Sequence, residues 1–166
     1  NNPAIDLETP KLDRRLPRYL SLDQSRKLLQ VAGTPPLGTH GNHDNSSRNF
    51  AIITLFLNCG MRLSELVNIN IKDIDFSENK LNVIGKGNKE RAIYLNKACI
   101  NAINDYLKDR PKEGVKYDSR DALFLSEQRK RISNRTVQYI VKEEMHIAGI
   151  DPNKYSVHKL RHTAAT

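Results

Sequence analysis

A chain of 166 residues, 38% hydrophobic and 28% charged, is long enough to bury a core and fits one folded domain, which excludes the disordered and fibrous classes. No apolar run approaches a membrane span and no signal peptide opens the chain, so the expected place is the cytoplasm. The net charge of +8 is lopsided: residues 1–79 carry nine Lys/Arg against nine Asp/Glu, and residues 80–166 carry eighteen against ten. A basic half of this kind points to a polyanion, nucleic acid first, or to a solubilising surface.

Residues 1–20 read as an extended basic linker or arm, punctuated by Pro3, Pro10 and Pro17 and carrying Lys11, Arg14, Arg15 and Arg18. The domain proper spans 21–166. Ser21 and Gln24 form a capping box, and Leu22, Leu28, Leu29 and Val31 supply the apolar positions of a helix that Gly33-Thr34-Pro35-Pro36 ends. Residues 33–47 form a Gly/Asn/Ser loop with His40 and His43, which lack the further ligands a closed metal site needs. Ser46 or Ser47 is expected to cap the next helix. Phe50 to Leu57 make it apolar on nearly every side, so it belongs in the middle of a helical core. Cys59 and Cys99 match no metal or redox spacing and read as reduced core thiols.

The stretch Gly60-Met61-Arg62-Leu63-Ser64-Glu65-Leu66 follows directly. Gly60 suits a left-handed helix stop, and a short helix then runs from Leu63 to about Asn68. A guanidinium this close to a core needs an anion, either Glu65 or an external ligand such as phosphate. Ile69, Ile71, Ile74 and Phe76 lead towards a strand. Lys80–Ile84 and Glu90–Leu95 alternate as the two strands of a hairpin, with Gly85-Lys86-Gly87-Asn88-Lys89 between them. The tip is either a solvated turn or a device that brings the Lys86 ammonium to a ligand; its spacing fits neither a phosphate-binding P-loop nor a dinucleotide fingerprint.

Asn96 caps a helix to about Lys108, and a polar loop runs from Pro111 to Arg120 before the apolar Ala122–Leu125. Arg129, Lys130 and Arg131 form a basic cluster ahead of Ser133, which caps a helix opening with Asn134 and Arg135. That first turn suits phosphate or base contacts, or is merely solvated. Val137, Ile140, Val141 and Met145 face inward, and Gly149 stops the helix. Ser156 starts a last helix on which His158, Arg161 and His162 share a face. Lys159 stands where a zinc protease needs its glutamate base, so zinc is set aside. Arg62, Lys86, His158 and Arg161 together suit a phosphodiester whose charge grows in a transition state.

Three segments, Cys59-Gly60-Met61-Arg62-Leu63-Ser64-Glu65-Leu66, Val83-Ile84-Gly85-Lys86-Gly87-Asn88-Lys89-Glu90-Arg91 and His158-Lys159-Leu160-Arg161-His162-Thr163, occur in this order. In them the chain resembles the catalytic domain of tyrosine recombinases, the phage integrase family, most closely its Xer-like branch. The resemblance implies an α+β domain, mainly helical, with a small antiparallel sheet. It implies that Arg62 and Arg161 bind the oxygens of the scissile phosphate, that Lys86 protonates the leaving 5′ oxygen and that His158 assists proton transfer. Glu65 and His162 take supporting places, and Lys89, Arg91, Arg131, Asn134, Arg135 and Lys159 belong to the DNA-facing side. It further implies double-stranded DNA as partner, a tetramer on two DNA sites for the parent protein, and a 3′-phosphotyrosyl intermediate that needs neither metal nor cofactor.

The family's nucleophile is a tyrosine beyond the His-x-x-Arg helix, whereas Tyr19, Tyr94, Tyr106, Tyr117, Tyr139 and Tyr155 all precede His158. The expectation is therefore a fragment trimmed at both ends, without the N-terminal DNA-clamping domain. It would be monomeric and would bind duplex DNA without cleaving it. Three rival readings stand beside it: a non-catalytic DNA-binding protein that keeps the phosphate pocket, a type IB topoisomerase-like enzyme, and a purely structural basic domain.

Overall fold

The computed structural model describes residues 20–35, 45–157 and 160. The basic arm, the loop with His40 and His43, and His158, Lys159, Arg161 and His162 lie outside the described residues. Helix α1 (Leu22–Ala32) begins with the expected capping box: Gln24 N–H donates to Ser21 Oγ at 3.1 Å and Ser21 N–H to Gln24 Oε1 at 2.8 Å. Leu28 is fully buried, but Leu22 is 65% exposed, because the inward face starts one turn later.

Helix α2 (Ser46–Cys59) is the centre of the core. Ala51, Ile52, Ile53, Leu55 and Phe56 are all fully buried, and each large apolar side chain contributes about 1.5–3 kcal/mol by leaving water. It packs against α1 and against α4 (Lys97–Asp109), and α5 (Asn134–Ile147) lies across α1, α2 and the short helix α3 (Leu63–Val67). Its N-cap is Asn45, one residue before the expected serines; the Asn45 side chain donates to Glu127 Oε1 instead of capping. At its other end Gly60 takes φ 64° and ψ 25°, the left-handed stop a glycine makes at little cost.

After α3 and a single 3₁₀ turn, Ile71–Asp73, a three-stranded antiparallel sheet forms in the order β1 (Ile74–Asp75), β2 (Lys80–Ile84), β3 (Glu90–Tyr94). Leu81 faces Ile93 and Val83 faces Arg91 across the β2–β3 ladder. Cross-strand partners share a face of the sheet, and Leu81, Val83 and Ile93 are buried on the inner one. Asn96 Oδ1 accepts the Cys99 N–H at 2.9 Å and starts α4. From α4, Tyr106 stacks on Phe124 with ring centroids 5.4 Å apart and takes the Leu125 N–H on its hydroxyl oxygen. The fold is thus mainly helical with one small sheet, as the sequence implies.

Helix α5 follows the pattern of its sequence: Ser133 Oγ caps it through the Thr136 N–H, and Val137, Ile140, Val141 and Met145 are buried. Gly149 (φ 77°) turns the chain away, and Val157 and Leu160 return to the core. Among the described residues no helix is long and apolar enough to cross a membrane.

Candidate active site

Gly60 reverses the chain at the end of the most buried helix, so Arg62 arrives at a fixed place. Arg62 is the N-cap of α3, with extended backbone and an exposed side chain. Its N–H donates to Glu65 Oε1 at 2.8 Å, the reaching-back half of a capping arrangement. The Arg62 guanidinium has no hydrogen bond or ion pair with a described residue.

Glu65 is only 5% exposed. A buried carboxylate needs a counter-charge, and Arg91 provides it, from Nη2 to Oε1 at 2.8 Å and from Nε to Oε2 at 3.3 Å. Of the two anions open to Arg62 on sequence grounds, Glu65 is therefore engaged by another arginine. Burial works against the Glu65 charge; the Arg91 hydrogen bonds, the Arg62 N–H and both guanidinium charges outweigh it and hold the carboxyl below the usual carboxylate range.

The Lys86 hairpin meets the same carboxylate. Gly85 N–H bonds Lys89 C=O at 2.7 Å to close the loop, and a methyl group placed on Gly85 would lie 3.5 Å from Glu65 Oε2. A 3₁₀ turn, Lys86–Asn88, follows, with Gly87 at φ 75° and Asn88 at φ 60°. Lys86 and Lys89 are exposed on it. A cleft of ≈ 590 Å³ lies between the hairpin and the end of α3, lined among others by Glu65, Asn70, Asn82, Ile84 and Asn88. Glu65 thus joins the Arg62 turn to the base of the Lys86 loop.

The basic cluster before α5 divides in the structure. Arg131 turns inward, donating from Nη1 to Val67 O at 3.0 Å and Ile69 O at 3.2 Å and from Nη2 to Asn70 Oδ1. Arg129 donates to the Glu113 carbonyl, and Lys130 remains exposed. Asn134 and Arg135 are exposed on the first turn of α5. Beside them a concavity of ≈ 410 Å³ is lined by Arg48, Lys130, Ser133, Thr136 and Tyr139 among others. Arg48 is 5% exposed and donates to Leu125 O and Asn49 Oδ1; burial pushes its guanidinium pKa down, against the opposing charge of Glu127. Nothing in the sequence pattern singled it out.

Sequence reasoning placed Arg91 and Arg131 on the DNA-facing side, whereas both guanidiniums have partners within the fold. For Arg91 the signal was present: strand alternation puts it on the face of Ile93. Cys59 and Cys99 are free thiols with their sulfurs 3.6 Å apart, a neighbourhood that a separation of forty residues hides. No group of three or more His, Cys, Asp or Glu able to hold a metal occurs among the described residues.

Comparison with known proteins speaks to the family and the fold. The chain matches the phage integrase family model over residues 18–166. It is 59% identical over 165 residues to the tyrosine recombinase XerC of Caldanaerobacter subterraneus subsp. tengcongensis, covering 99% of this chain and 43% of that protein. To XerC of Alcanivorax borkumensis it is 38% identical over 166 residues, covering 100% of this chain and 52% of the relative. The fold superposes on the crystal structure of XerA recombinase with a TM-score of 0.74 at 30% identity, over 90% of this chain and 50% of that one. XerH site-specific recombinase, bound to difH substrate in a pre-cleavage complex, gives 0.72 at 25% identity, over 90% and 42%. The chain spans about half the length of the relatives it matches. With the family model, the relatives and the fold in agreement, the chain belongs to the phage integrase family, in its Xer-like branch, and has the architecture of a tyrosine recombinase catalytic domain.

Proposed function

We propose that this chain is the phosphate-binding part of a site-specific DNA recombinase that cuts and rejoins duplex DNA through a 3′-phosphotyrosyl intermediate. The observation that carries the reading is the junction at Glu65, where one buried carboxylate holds the Arg62 backbone and lies against the base of the Lys86 loop. Arg62, with Arg161, holds the non-bridging oxygens of the scissile phosphate. A preorganised cation at such an oxygen is worth about 3 kcal/mol in the transition state, because it needs no rearrangement as charge develops. Lys86 hands its proton to the leaving 5′ oxygen, and His158 assists proton transfer. His162 supports the motif arginine. The phosphotyrosyl bond keeps the energy of the broken phosphodiester, so resealing requires neither metal nor high-energy cofactor.

Double-stranded DNA is the proposed partner. XerH site-specific recombinase, which this chain resembles, is bound to difH substrate in its crystal structure. Lys86, Lys89, Lys130, Asn134 and Arg135, all exposed, form the DNA-facing side together with Lys159. The whole recombinase works as a tetramer on two DNA sites in the cytoplasm, and this chain alone is a monomer. The nucleophilic tyrosine is not among its six tyrosines, which all precede His158.

The test is covalent capture. A nicked duplex carrying a Xer-type site is incubated with a protein that joins this chain to the family's nucleophilic tyrosine. A detergent-stable protein–DNA adduct is expected; Arg62→Ala abolishes it, and Lys86→Ala slows it. Supercoil relaxation without strand exchange would replace the recombinase reading with the topoisomerase one.

A further inference from the structure

Glu65 lies between two arginines and bonds the side chain of only one. Its Oε1 accepts the Arg91 guanidinium and the Arg62 backbone N–H, both at 2.8 Å, while the Arg62 side chain stays exposed and unpaired among the described residues. Arg62 is nevertheless close enough for its charge to act on the Glu65 carboxyl. A carboxylate 5% exposed does not remain without a cation, because leaving a buried charge unpaired is strongly unfavourable. If Arg91 were absent, the cation among the described residues whose charge still acts on Glu65 is the guanidinium of Arg62.

We infer that Arg91 is a positioning residue for strand cleavage: by occupying Glu65 it keeps the Arg62 guanidinium available for phosphate. The inference rests on the proposed recombinase function and names a residue that acts on Arg62 only through Glu65. The strand geometry supports the assignment. Arg91 pairs across the ladder with Val83, whose side chain is 4% exposed, so the sheet aims Arg91 at α3 from the inner face. Its side chain is still 46% exposed, so its charge is partly hydrated while its fork spans both carboxylate oxygens. Gly85 against the same carboxylate places the Lys86 loop in this frame as well.

The experiment compares Arg91→Met, Arg91→Lys and the double variant Arg91→Met with Glu65→Gln. Single-turnover cleavage of the nicked duplex is measured in the protein carrying the nucleophilic tyrosine, with thermal unfolding as the control for folding. Arg91→Met is expected to lower the cleavage rate by about tenfold or more as Arg62 is drawn onto Glu65. Arg91→Lys, which keeps a charge but not the fork, falls between. The double variant regains rate, because the neutral carboxamide introduced by Glu65→Gln no longer attracts the Arg62 guanidinium, while its oxygen still accepts the Arg62 N–H. A purely structural role for Arg91 predicts no such rescue.

A second readout uses this chain alone and needs no DNA. The rate at which phenylglyoxal modifies Arg62, followed by peptide mass spectrometry, should fall in Arg91→Met and recover in the double variant. An unchanged rate of Arg62 modification in folded Arg91→Met, or a double variant as impaired as Arg91→Met, overturns the inference. Wild-type protein that never forms a covalent adduct, while the modification pattern holds, overturns the recombinase function and leaves the Arg62–Glu65–Arg91 relationship standing.

Discussion

Arg131 Nη1 lies 3.0 Å from the carbonyl oxygen of Val67, the last residue of the helix that Arg62 opens. The final carbonyls of a helix lack partners within it, and a cation there also meets the negative end of the helix dipole. Arg131 satisfies Val67 and Ile69 together and reaches Asn70 with its other nitrogen. Arg131→Met should therefore lower stability by about 2 kcal/mol, measured by urea denaturation. Arg135→Met, on the exposed first turn of α5, should change it by less than about 0.5 kcal/mol.

The acid limb of stability should carry the signature of Glu65. Its carboxyl is held below the usual range, so its contribution is fully present above the unfolded-state value of about 4.3 and is lost as pH falls through the folded value. Wild type should exceed Glu65→Gln in stability at pH 7. The gap should close as pH falls below about 4, when unfolding is followed at each pH.

Glu144 should behave in the opposite sense. Burial pushes its carboxyl up, Asn49 partly opposes this through a hydrogen bond, and the neighbouring Glu143 charge adds to the rise. A carboxylate raised in the folded state favours folding at low pH, and that advantage is lost as pH rises through the folded value. Glu144→Gln should thus raise the melting temperature at pH 7 and have little effect below about pH 4. A lower melting temperature at pH 7 would show that the Asn49 contact outweighs burial.

Gly60 at φ 64° fixes where Arg62 emerges. A Cβ in the left-handed region costs about 1–2 kcal/mol, so Gly60→Ala should reduce unfolding free energy by that amount. The strain falls between α2 and Arg62, so the loss of phosphate-dependent activity should exceed that of Gly149→Ala, which carries the same strain at the far end of α5.

Cys59 and Cys99 offer a chemical check on how α2 packs against α4. The hydrogen bond between the two sulfurs holds the Cys99 thiol below its ordinary value, while that bond and burial push Cys59 up. Diamide should accept two hydrogens from the pair and leave an intramolecular disulfide, seen by intact-mass spectrometry and absent in Cys99→Ser. Only mixed adducts or intermolecular dimers would mean that the helix ends lie farther apart than 3.6 Å sulfur to sulfur.

The helices were legible in the sequence because local chemistry fixes them. Ser21 with Gln24, Asn96 and Ser133 each cap their own helix, and Gly60 and Gly149 each take the left-handed turn. The hairpin was legible because Leu81, Val83 and Ile93 alternate about a glycine-rich loop. The destinations of the arginines were less so. A capping box needs residues three apart, whereas Arg91 finds Glu65 across 26 positions and Arg131 finds Val67 across 64. Such partners are set by how α3, the sheet and the loop before α5 pack, and a lysine–arginine run looks the same whether its charges face solvent or carbonyls. Asn45 was missed as a cap for a related reason: its side chain follows Glu127, 82 residues away.

The count of 27 Lys and Arg overstates the number of cations free to meet phosphates. Arg48, Arg110, Arg129 and Arg131 donate to main-chain carbonyls, and Arg91 is closed on Glu65. These residues still shape the long-range field that draws a polyanion in, but they displace few condensed counterions once it arrives. For the proposed DNA complex, attraction at a distance and the steepness of salt dependence therefore separate: the first follows the whole charge inventory, the second only the cations left exposed.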